Sequence, residues 1–228
     1  MEISTIKTFA INLPKRKDRY AHIVKEFDGK PEFQLQVVPA YEDKIGAIGL
    51  WKTIRKIVKN FATDEEIIVI CEDDHVFSPD YEKKKFFDLI RVAHQYQADV
   101  LLGGVSWFLE ALPLQKNLFW LNFFNGTQFM VLYKNFFNAI VNTSFFPSDA
   151  ADNKISVLSL KKFCIFPFIS TQTEFGYSDA SESLYYSGVV SGSFDMATRR
   201  LNNIQIASKH FEAKIKNLGK LNSIQCPT

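Results

Sequence analysis

The sequence has little of what marks several large classes of protein. Its 228 residues include three cysteines, an odd number that does not suit a framework of paired disulfides. Cys71 and Cys164 fall inside apolar, strand-like runs, which favours buried thiols in a reducing compartment. No apolar run approaches the ~18 residues that a membrane span requires. The first residues lack the basic start and long apolar stretch of a signal peptide. We therefore expect a cytoplasmic protein.

Charge of one sign is also lacking. Lys and Arg total 27 and Asp and Glu total 25, so the overall field gives no reason to expect a nucleic-acid partner. The chain contains no phosphate-binding Gly-x-x-x-x-Gly-Lys loop, no Gly-x-Ser-x-Gly elbow and no paired-cysteine or His-Glu-x-x-His zinc pattern. What is abundant is apolar material, with 46% hydrophobic residues and 22 phenylalanines. That composition is typical of a globular domain with a large core.

Strand-like and helix-like segments alternate over the first two-thirds of the chain, which predicts an α/β fold with a mostly parallel, Rossmann-like sheet. A turn at Asn125-Gly126 predicts one antiparallel hairpin, and a C-terminal helical tail follows a long loop at 170–194. The predicted strands are 6–13, 34–40, 67–71, 99–108, 117–124, 127–133 and 163–169. The predicted helices are 15–27, 45–61, 78–95, 136–141, one that Ser148 caps and that starts with Asp149 and Asp152, and 196–218.

The most informative feature is the acidic turn Glu72-Asp73-Asp74, which follows a strand that is apolar on both faces and therefore central. Ligands of open α/β sheets bind outside the carboxyl ends of the strands. Adjacent carboxylates repel one another, and a hard cation with oxygen ligands would relieve that repulsion. The first and third residues of the turn point the same way, so Glu72 and Asp74 can share a site. The alternative is a solvated acidic turn ahead of a helix.

A phosphatase-type site is a weaker interpretation of the same turn. Phosphatase catalysis of that kind uses a nucleophilic Asp at the first position after the first strand. Here that position is Glu72, and the turn follows the third predicted strand. A metal and diphosphate site is therefore the preferred interpretation of the turn, and a phosphatase site is the weaker one.

Several segments resemble the family 25 glycosyltransferases, the galactosyltransferase group of lipopolysaccharide biosynthesis. Residues 10–19, AINLPKRKDR, are similar to that family's opening INL-x-x-R-x-x-R, and residues 69–74, VICEDD, to its strand-end motif. The remaining similar segments are GTQ at 126–128, PSD at 147–149, and Gln172 with Ser178-Asp179. The resemblance spans about residues 6–180 in the family's order. It implies a GT-A fold, a UDP-sugar donor, Mn²⁺ or Mg²⁺, and inversion at the anomeric carbon.

On this interpretation residues 1–195 form one catalytic domain, with a nucleotide-sugar half at 1–108 and an acceptor half at 109–195, and residues 196–228 form a helical tail. Asn12, Arg16 and Arg19 follow the first strand, where they can meet the base or the diphosphate. The alternative for the two arginines is a solvated basic helix face. Glu72 or Asp73 would contact the ribose, and Asp74 would hold the metal that bridges the phosphates.

Inversion by direct displacement also requires a carboxylate that takes the proton of the acceptor hydroxyl. Asp149 and Asp152, one helical turn apart, are the candidates, with Asp149 preferred. Compensation of a helix dipole is their alternative role. Asp179 is a further candidate for the base or for a metal contact.

The C-terminal segment predicts a basic amphipathic helix, which can lie on an anionic membrane surface. The alternative is a helix packed on the domain. The predicted function is metal-dependent transfer of a hexose from a UDP-sugar to a glycan or lipopolysaccharide-type acceptor, with possible peripheral contact at the inner membrane surface. A non-catalytic nucleotide-sugar-binding or interaction protein on the same fold is the alternative.

Overall fold

The computed structural model describes residues 3–62, 64–176 and 188–222. Its elements follow in chain order. The strands are β1 (Ile6–Asn12), β2 (Phe33–Pro39), β3 (Ile67–Glu72), β4 (His75–Phe77), β5 (Val100–Leu102), β6 (Trp107–Phe108), β7 (Ala111–Gln115), β8 (Leu118–Leu121), β9 (Phe124–Asn125), β10 (Phe129–Tyr133), β11 (Lys162–Ile165) and β12 (Ser170–Gln172). The helices are α1 (Lys17–Glu26), α2 (Gly46–Phe61), α3 (Lys83–Gln95), α4 (Lys134–Asn142), α5 (Ala151–Leu158) and α6 (Val189–Asn222).

An eight-stranded sheet with the order β2-β1-β3-β10-β5-β11-β8-β7 forms the centre of the fold. Strands β8 and β10 run against the direction that the other six share. Two small antiparallel sheets, β4 with β12 and β6 with β9, lie apart from it. The α/β class, the mostly parallel sheet, the presence of an antiparallel hairpin and the C-terminal helix are thus confirmed.

The order β2-β1-β3 creates a switch point between β1 and β3, because the chain leaves β1 toward one side and returns to the other. Two apolar clusters cover the two faces of the sheet. One contains Trp51 and Ile54 of α2, and the other contains Ile23 of α1 and Phe86 of α3. Helices α1 and α2 therefore lie on opposite faces, which opens a crevice at the carboxyl end of β1.

The hairpin predicted at Asn125-Gly126 is wrong. Strands β8 and β10 do not pair, because β5 and β11 lie between them in the sheet. The hairpin is instead β7–β8, and it turns through Asn117 at a φ of 69°. Asn125 pairs with Trp107 in the small β6–β9 sheet. Long-range pairing of strands overrides the local turn preference here.

Two helices begin later than the sequence predicts. The Ser78 hydroxyl donates to the Phe168 carbonyl oxygen at 2.5 Å and accepts from the Asp80 N–H at 3.2 Å, so it stabilises a turn, and α3 begins only at Lys83. Helix α5 begins at Ala151. Asp149 therefore precedes the helix, because its carboxylate closes a turn by accepting the Phe146 N–H at 2.7 Å.

The strand predicted at 99–108 divides into β5 and β6. Its chain passes so close to the neighbouring backbone that a Cβ at Gly104 would lie 2.2 Å from the Ser170 carbonyl oxygen. Only glycine fits there. The long loop predicted at 170–194 is wrong at both ends, since β12 occupies Ser170–Gln172 and α6 begins at Val189.

Helix α6 begins at Val189, before the residue 196 predicted for it, and its first half belongs to the core. Phe194, Ala197 and Leu201 are buried on one side of it. The Arg200 guanidinium lies 4.0 Å from the centre of the Phe108 ring and donates to the Phe108 carbonyl oxygen at 2.7 Å. Within the described residues, none of the helices combines the length and apolar character needed to cross a bilayer.

Candidate active site

A cleft of about 240 Å³ opens at the carboxyl ends of three neighbouring parallel strands, β2, β1 and β3. The segment after each strand contributes to its wall, and α1, α2 and β12 complete it. The residues that line it are Ile11, Leu13, Lys15, Arg19, Ala40, Tyr41, Glu42, Asp43, Gly46, Leu50, Glu72, Asp73, Asp74 and Gln172. The cleft lies at the switch point of the sheet, where open α/β folds bind their ligands.

Asp73 is held by Asn12, the last residue of β1, and by Arg19 of α1. Its Oδ2 accepts the Asn12 side-chain N–H at 2.8 Å, and its Oδ1 accepts from Arg19 at 3.0 Å. Asn12, Arg19 and Asp73 are all buried. Asn12 also donates to the Arg16 carbonyl oxygen at 3.2 Å, which fixes the start of α1 against the end of the strand. Arg19 therefore supplies the positive charge that the sequence alone does not place beside the acidic turn.

Glu72 and Asp74 are less well compensated than Asp73. Among the described residues, the Glu72 carboxylate accepts a hydrogen bond from the Thr127 hydroxyl at 2.5 Å, and the Asp74 carboxylate accepts one from the Gln172 amide at 3.2 Å. Arg19 approaches Asp74 only to 3.6 Å. Removal from water and the charge of Asp74 raise the pKa of Glu72 to about 8. Removal from water and the charge of Asp73 raise the pKa of Asp74 to about 6.

These surroundings fit a hard divalent cation that shares its ligands with a substrate. The donors at the turn are carboxylate oxygens, and burial together with the neighbouring carboxylates disfavours their ionised forms. In the described parts of the chain, no group of three or more His, Cys, Asp or Glu side chains is arranged to hold a metal. A cation at Asp74 would therefore need phosphate and water oxygens as further ligands, as Mg²⁺-type sites commonly do.

The structure brings Asn12, Arg19, Glu72, Asp73 and Asp74 together at one end of the sheet. Arg16 contributes its backbone carbonyl to this cluster. Among the described residues that line the cleft, the basic side chains are Lys15 and Arg19.

The two candidate bases lie in different surroundings. Asp149 accepts from the Lys154 ammonium at 2.7 Å, and this bond is the main reason that its pKa is lowered. Asp152 accepts the Gly126 N–H at 3.1 Å, and its charge contributes to the raised pKa of Glu72. Neither carboxylate is among the residues that line the cleft, and the second oxygen of Asp152 accepts the Asn153 N–H at 2.8 Å. Ser178 and Asp179 lie outside the described residues.

The sequence interpretation missed the wall that follows β2. Tyr41, Glu42 and Asp43 line the cleft there, and Lys15 faces it from the segment after β1. Their position in the sequence could have identified them, because polar residues directly after a parallel strand lie at the ligand-binding edge of the sheet. Gln172 belongs to the segments that resemble family 25, and the structure adds its hydrogen bond to Asp74.

No protein-family model matches this sequence, and no curated protein matches it. Among solved structures, A197 from STIV has a TM-score of 0.52 at 11% identity, over 75% of this chain and 86% of that one, a likeness of fold alone. UDP-glucose pyrophosphorylase complexed with UDP-glucose has a TM-score of 0.48 at 8% identity, over 87% of this chain and 99% of that one. A glycosyltransferase involved in the glycosylation of the major capsid of PBCV-1 has a TM-score of 0.37 at 13% identity, over 60% and 63% of the two chains. The last two likenesses are too low to carry an argument.

Proposed function

We propose that this chain is a metal-dependent hexosyltransferase that transfers a sugar from a UDP-sugar to a glycan or lipid-linked saccharide, with inversion. The observation that supports this proposal most directly is that the three carboxylates of the acidic turn, which lies in the cleft at the switch point, are not equally well paired with donors. Asn12 and Arg19 hold Asp73, whereas burial and the neighbouring carboxylates raise the pKa values of Glu72 and Asp74, and a bound cation would favour their ionised forms. The resemblance to family 25 points to the same chemistry.

The residues of the cleft divide into roles under this proposal. Asp74 would hold Mn²⁺ or Mg²⁺, with Gln172 orienting its carboxylate. A bound cation would supply positive charge that stabilises the departing diphosphate. Lys15 and Arg19 face the same cleft and would contact phosphate oxygens. Glu72 and the segment after β2, which line the cleft, would receive the base and ribose, and Asn12 would act through Asp73, to which it donates.

In the reaction, the oxygen of the acceptor hydroxyl bonds to the anomeric carbon while the bond from that carbon to the diphosphate breaks. The electron pair of the broken bond leaves with the UDP, and the hydroxyl proton passes to a carboxylate. Of the two candidate bases we favour Asp152. Its charge acts on Glu72, whereas Lys154 and a backbone N–H engage the same oxygen of Asp149.

Calorimetric titration of UDP tests the proposal. Wild-type protein should bind UDP more tightly with Mn²⁺ than with EDTA, and Asp74→Asn should lose that difference while it remains folded. Asp88→Asn, an exposed charge on α3, is the matched control and should behave as wild type. Equal wild-type affinity in Mn²⁺ and EDTA, or a metal-enhanced affinity in Asp74→Asn, would show that this turn is not the metal site.

A further inference from the structure

A second groove adjoins the candidate active site on the outer side of α2. It has a volume of about 430 Å³, and its lining combines four basic side chains with a tyrosine, an asparagine and Val141. The basic residues are Lys52, Arg55, Lys56 and Lys59. They recur at helical spacing along one face of α2, so the groove concentrates positive charge in a protein whose net charge is only +2.

Two of the cations in this basic groove, Arg55 and Lys56, contact neighbouring parts of the fold. Arg55 donates to the Val141 carbonyl oxygen at the end of α4 at 2.6 Å, and the Lys56 ammonium lies 5.3 Å from the centre of the Tyr41 ring. A guanidinium carries five N–H donors, so that bond leaves Arg55 able to contact an anion as well. A fixed cation loses less side-chain entropy when it binds an anion than a free one does.

The basic groove is continuous with the acidic cleft. Tyr41 lines both of them, and an ion pair of 2.7 Å between Asp43 of the cleft and Lys52 of the groove marks their boundary. The position of Tyr41 is fixed, because its N–H donates to the Thr53 hydroxyl at 2.9 Å. Its backbone also packs so closely on α2 that a Cβ at Gly49 would lie 2.3 Å from the Tyr41 carbonyl oxygen.

We infer that the basic groove binds a phosphate-bearing saccharide. Phosphate is the anion that Arg and several Lys side chains recognise together. The exposed ring of Tyr41, 48% accessible at the mouth of the cleft, offers an apolar face on which a sugar ring can stack. A membrane surface fits less well, because Val141 is the one aliphatic side chain among the described residues that line the groove. The identification of this saccharide as the acceptor rests on the proposed function, whereas the binding of phosphate in the groove does not.

The binding test uses glucose 6-phosphate as the probe, in EDTA, with titration followed by amide chemical shifts. Wild-type protein should show shifts along Lys52–Asn60, and a triple variant, Arg55→Gln, Lys56→Gln and Lys59→Gln, should bind at least about tenfold more weakly. Asp74→Asn should bind as wild type does. The matched control is Lys84→Gln, Lys85→Gln and Lys116→Gln, which removes the same charge from a surface that also carries Glu82 and Asp88.

Equal affinity of wild type and the triple variant would overturn the inference, as would equal binding of uncharged glucose. Thermal melting of both triple variants shows whether they fold.

Vesicles that contain phosphatidylglycerol distinguish a membrane surface from a phosphorylated saccharide as the ligand of the groove. If they bind wild type but not the triple variant while glucose 6-phosphate binds neither, the groove is a lipid contact and the inference fails. In an active enzyme the triple variant should raise KM for a phosphorylated acceptor and leave KM for the donor unchanged. The binding test gives a result whether or not transfer activity is found.

Discussion

Glu72, Asp73 and Asp74 are neighbours in the sequence, but their side chains meet three different environments. Asp73 accepts from Asn12 and Arg19, Glu72 accepts from Thr127, and Asp74 accepts from Gln172. The residues that donate come from four separate parts of the chain. Differences among these carboxylates therefore belong to the folded structure, and they should appear when each one is replaced singly.

Replacement of Asp73 should destabilise the fold more than replacement of Asp74. Asp73→Asn removes a counter-charge that lies 3.0 Å from the buried Arg19 guanidinium, so we expect the free energy of unfolding to fall by about 2 kcal/mol or more. Asp74→Asn removes a charge that its neighbours repel, so stability should be unchanged or slightly higher. Urea denaturation in EDTA at pH 7 measures both. Equal losses in the two variants would contradict this assignment of roles.

The two candidate bases can be separated by kinetics. Asp152→Asn should retain Mn²⁺-dependent UDP binding but lose transfer by about 10²-fold or more, the usual scale for loss of a general base. Asp149→Asn should keep its activity, because the carboxylate that it replaces closes a turn and pairs with Lys154. The measurement is UDP released from UDP-hexoses with oligosaccharide acceptors. An inactive Asp149→Asn beside an active Asp152→Asn would reverse the assignment.

At the scale of elements, the end of α5 depends on a buried lysine. The Lys162 ammonium donates to the carbonyl oxygens of Ser156, at 2.8 Å, and of Ser159. A cation at this end of a helix compensates the last carbonyl groups. Burial nevertheless lowers the pKa of Lys162 to about 8 from its ordinary 10.5, so the folded protein releases this proton more readily than the unfolded chain does.

This difference gives a pH dependence with a defined sign. Between about pH 8 and 10.5 the unfolded chain holds more of the Lys162 proton, so this residue makes the free energy of unfolding rise with pH by on the order of 1 kcal/mol. Cysteines and tyrosines titrate in the same range, so the measured quantity is the difference between wild type and Lys162→Met. Lys161→Met, an exposed neighbour, is the control and should keep the wild-type slope. An unchanged slope in Lys162→Met would exclude this linkage.

The first half of helix α6 packs on the core, and this packing limits how a membrane contact can be tested. A truncation that ends near Ser193 would remove Phe194, Ala197 and Leu201 from the core and cost several kcal/mol. A truncation after Ser208 keeps those contacts and removes four lysines, at positions 209, 214, 216 and 220. We expect it to fold with wild-type stability and to bind anionic vesicles less well. Equal sedimentation of both proteins with the vesicles would refute the membrane prediction.

At the scale of the whole molecule, ligand binding should be visible as a rise in melting temperature. A ligand that binds only the folded state stabilises it by about 2.7 kcal/mol at one hundred times its Kd. For a chain of this size that corresponds to roughly 5–10 °C. UDP-sugars with Mn²⁺ should give the largest rise among UDP-, GDP- and CMP-sugars, and EDTA should reduce it. A larger effect of GDP- or CMP-sugars would change the predicted donor, and no effect of any of them would favour a different ligand for the cleft.

The sequence by itself determined the parts of this protein that depend on short-range patterns. The run at 67–71 is apolar on both faces, and it is the central strand β3 with the acidic turn at its carboxyl end. The apolar spacing of 45–61 likewise predicts α2 and its buried face. Such patterns are readable because a side chain's face follows from its position within a regular element.

Only the tertiary structure decided which segments meet. The turn at Asn125-Gly126 favours a hairpin locally, but β10 pairs with β3 and β5, whose combined contacts outweigh one turn. Arg19 became the partner of Asp73, across 54 residues, through the alignment of β1 with β3. The basic groove arises in the same way, because Tyr41, α2 and Val141 are separate in the sequence and adjacent in the fold. Sheet order and packing of this kind depend on the sum of long-range contacts, which no local pattern contains.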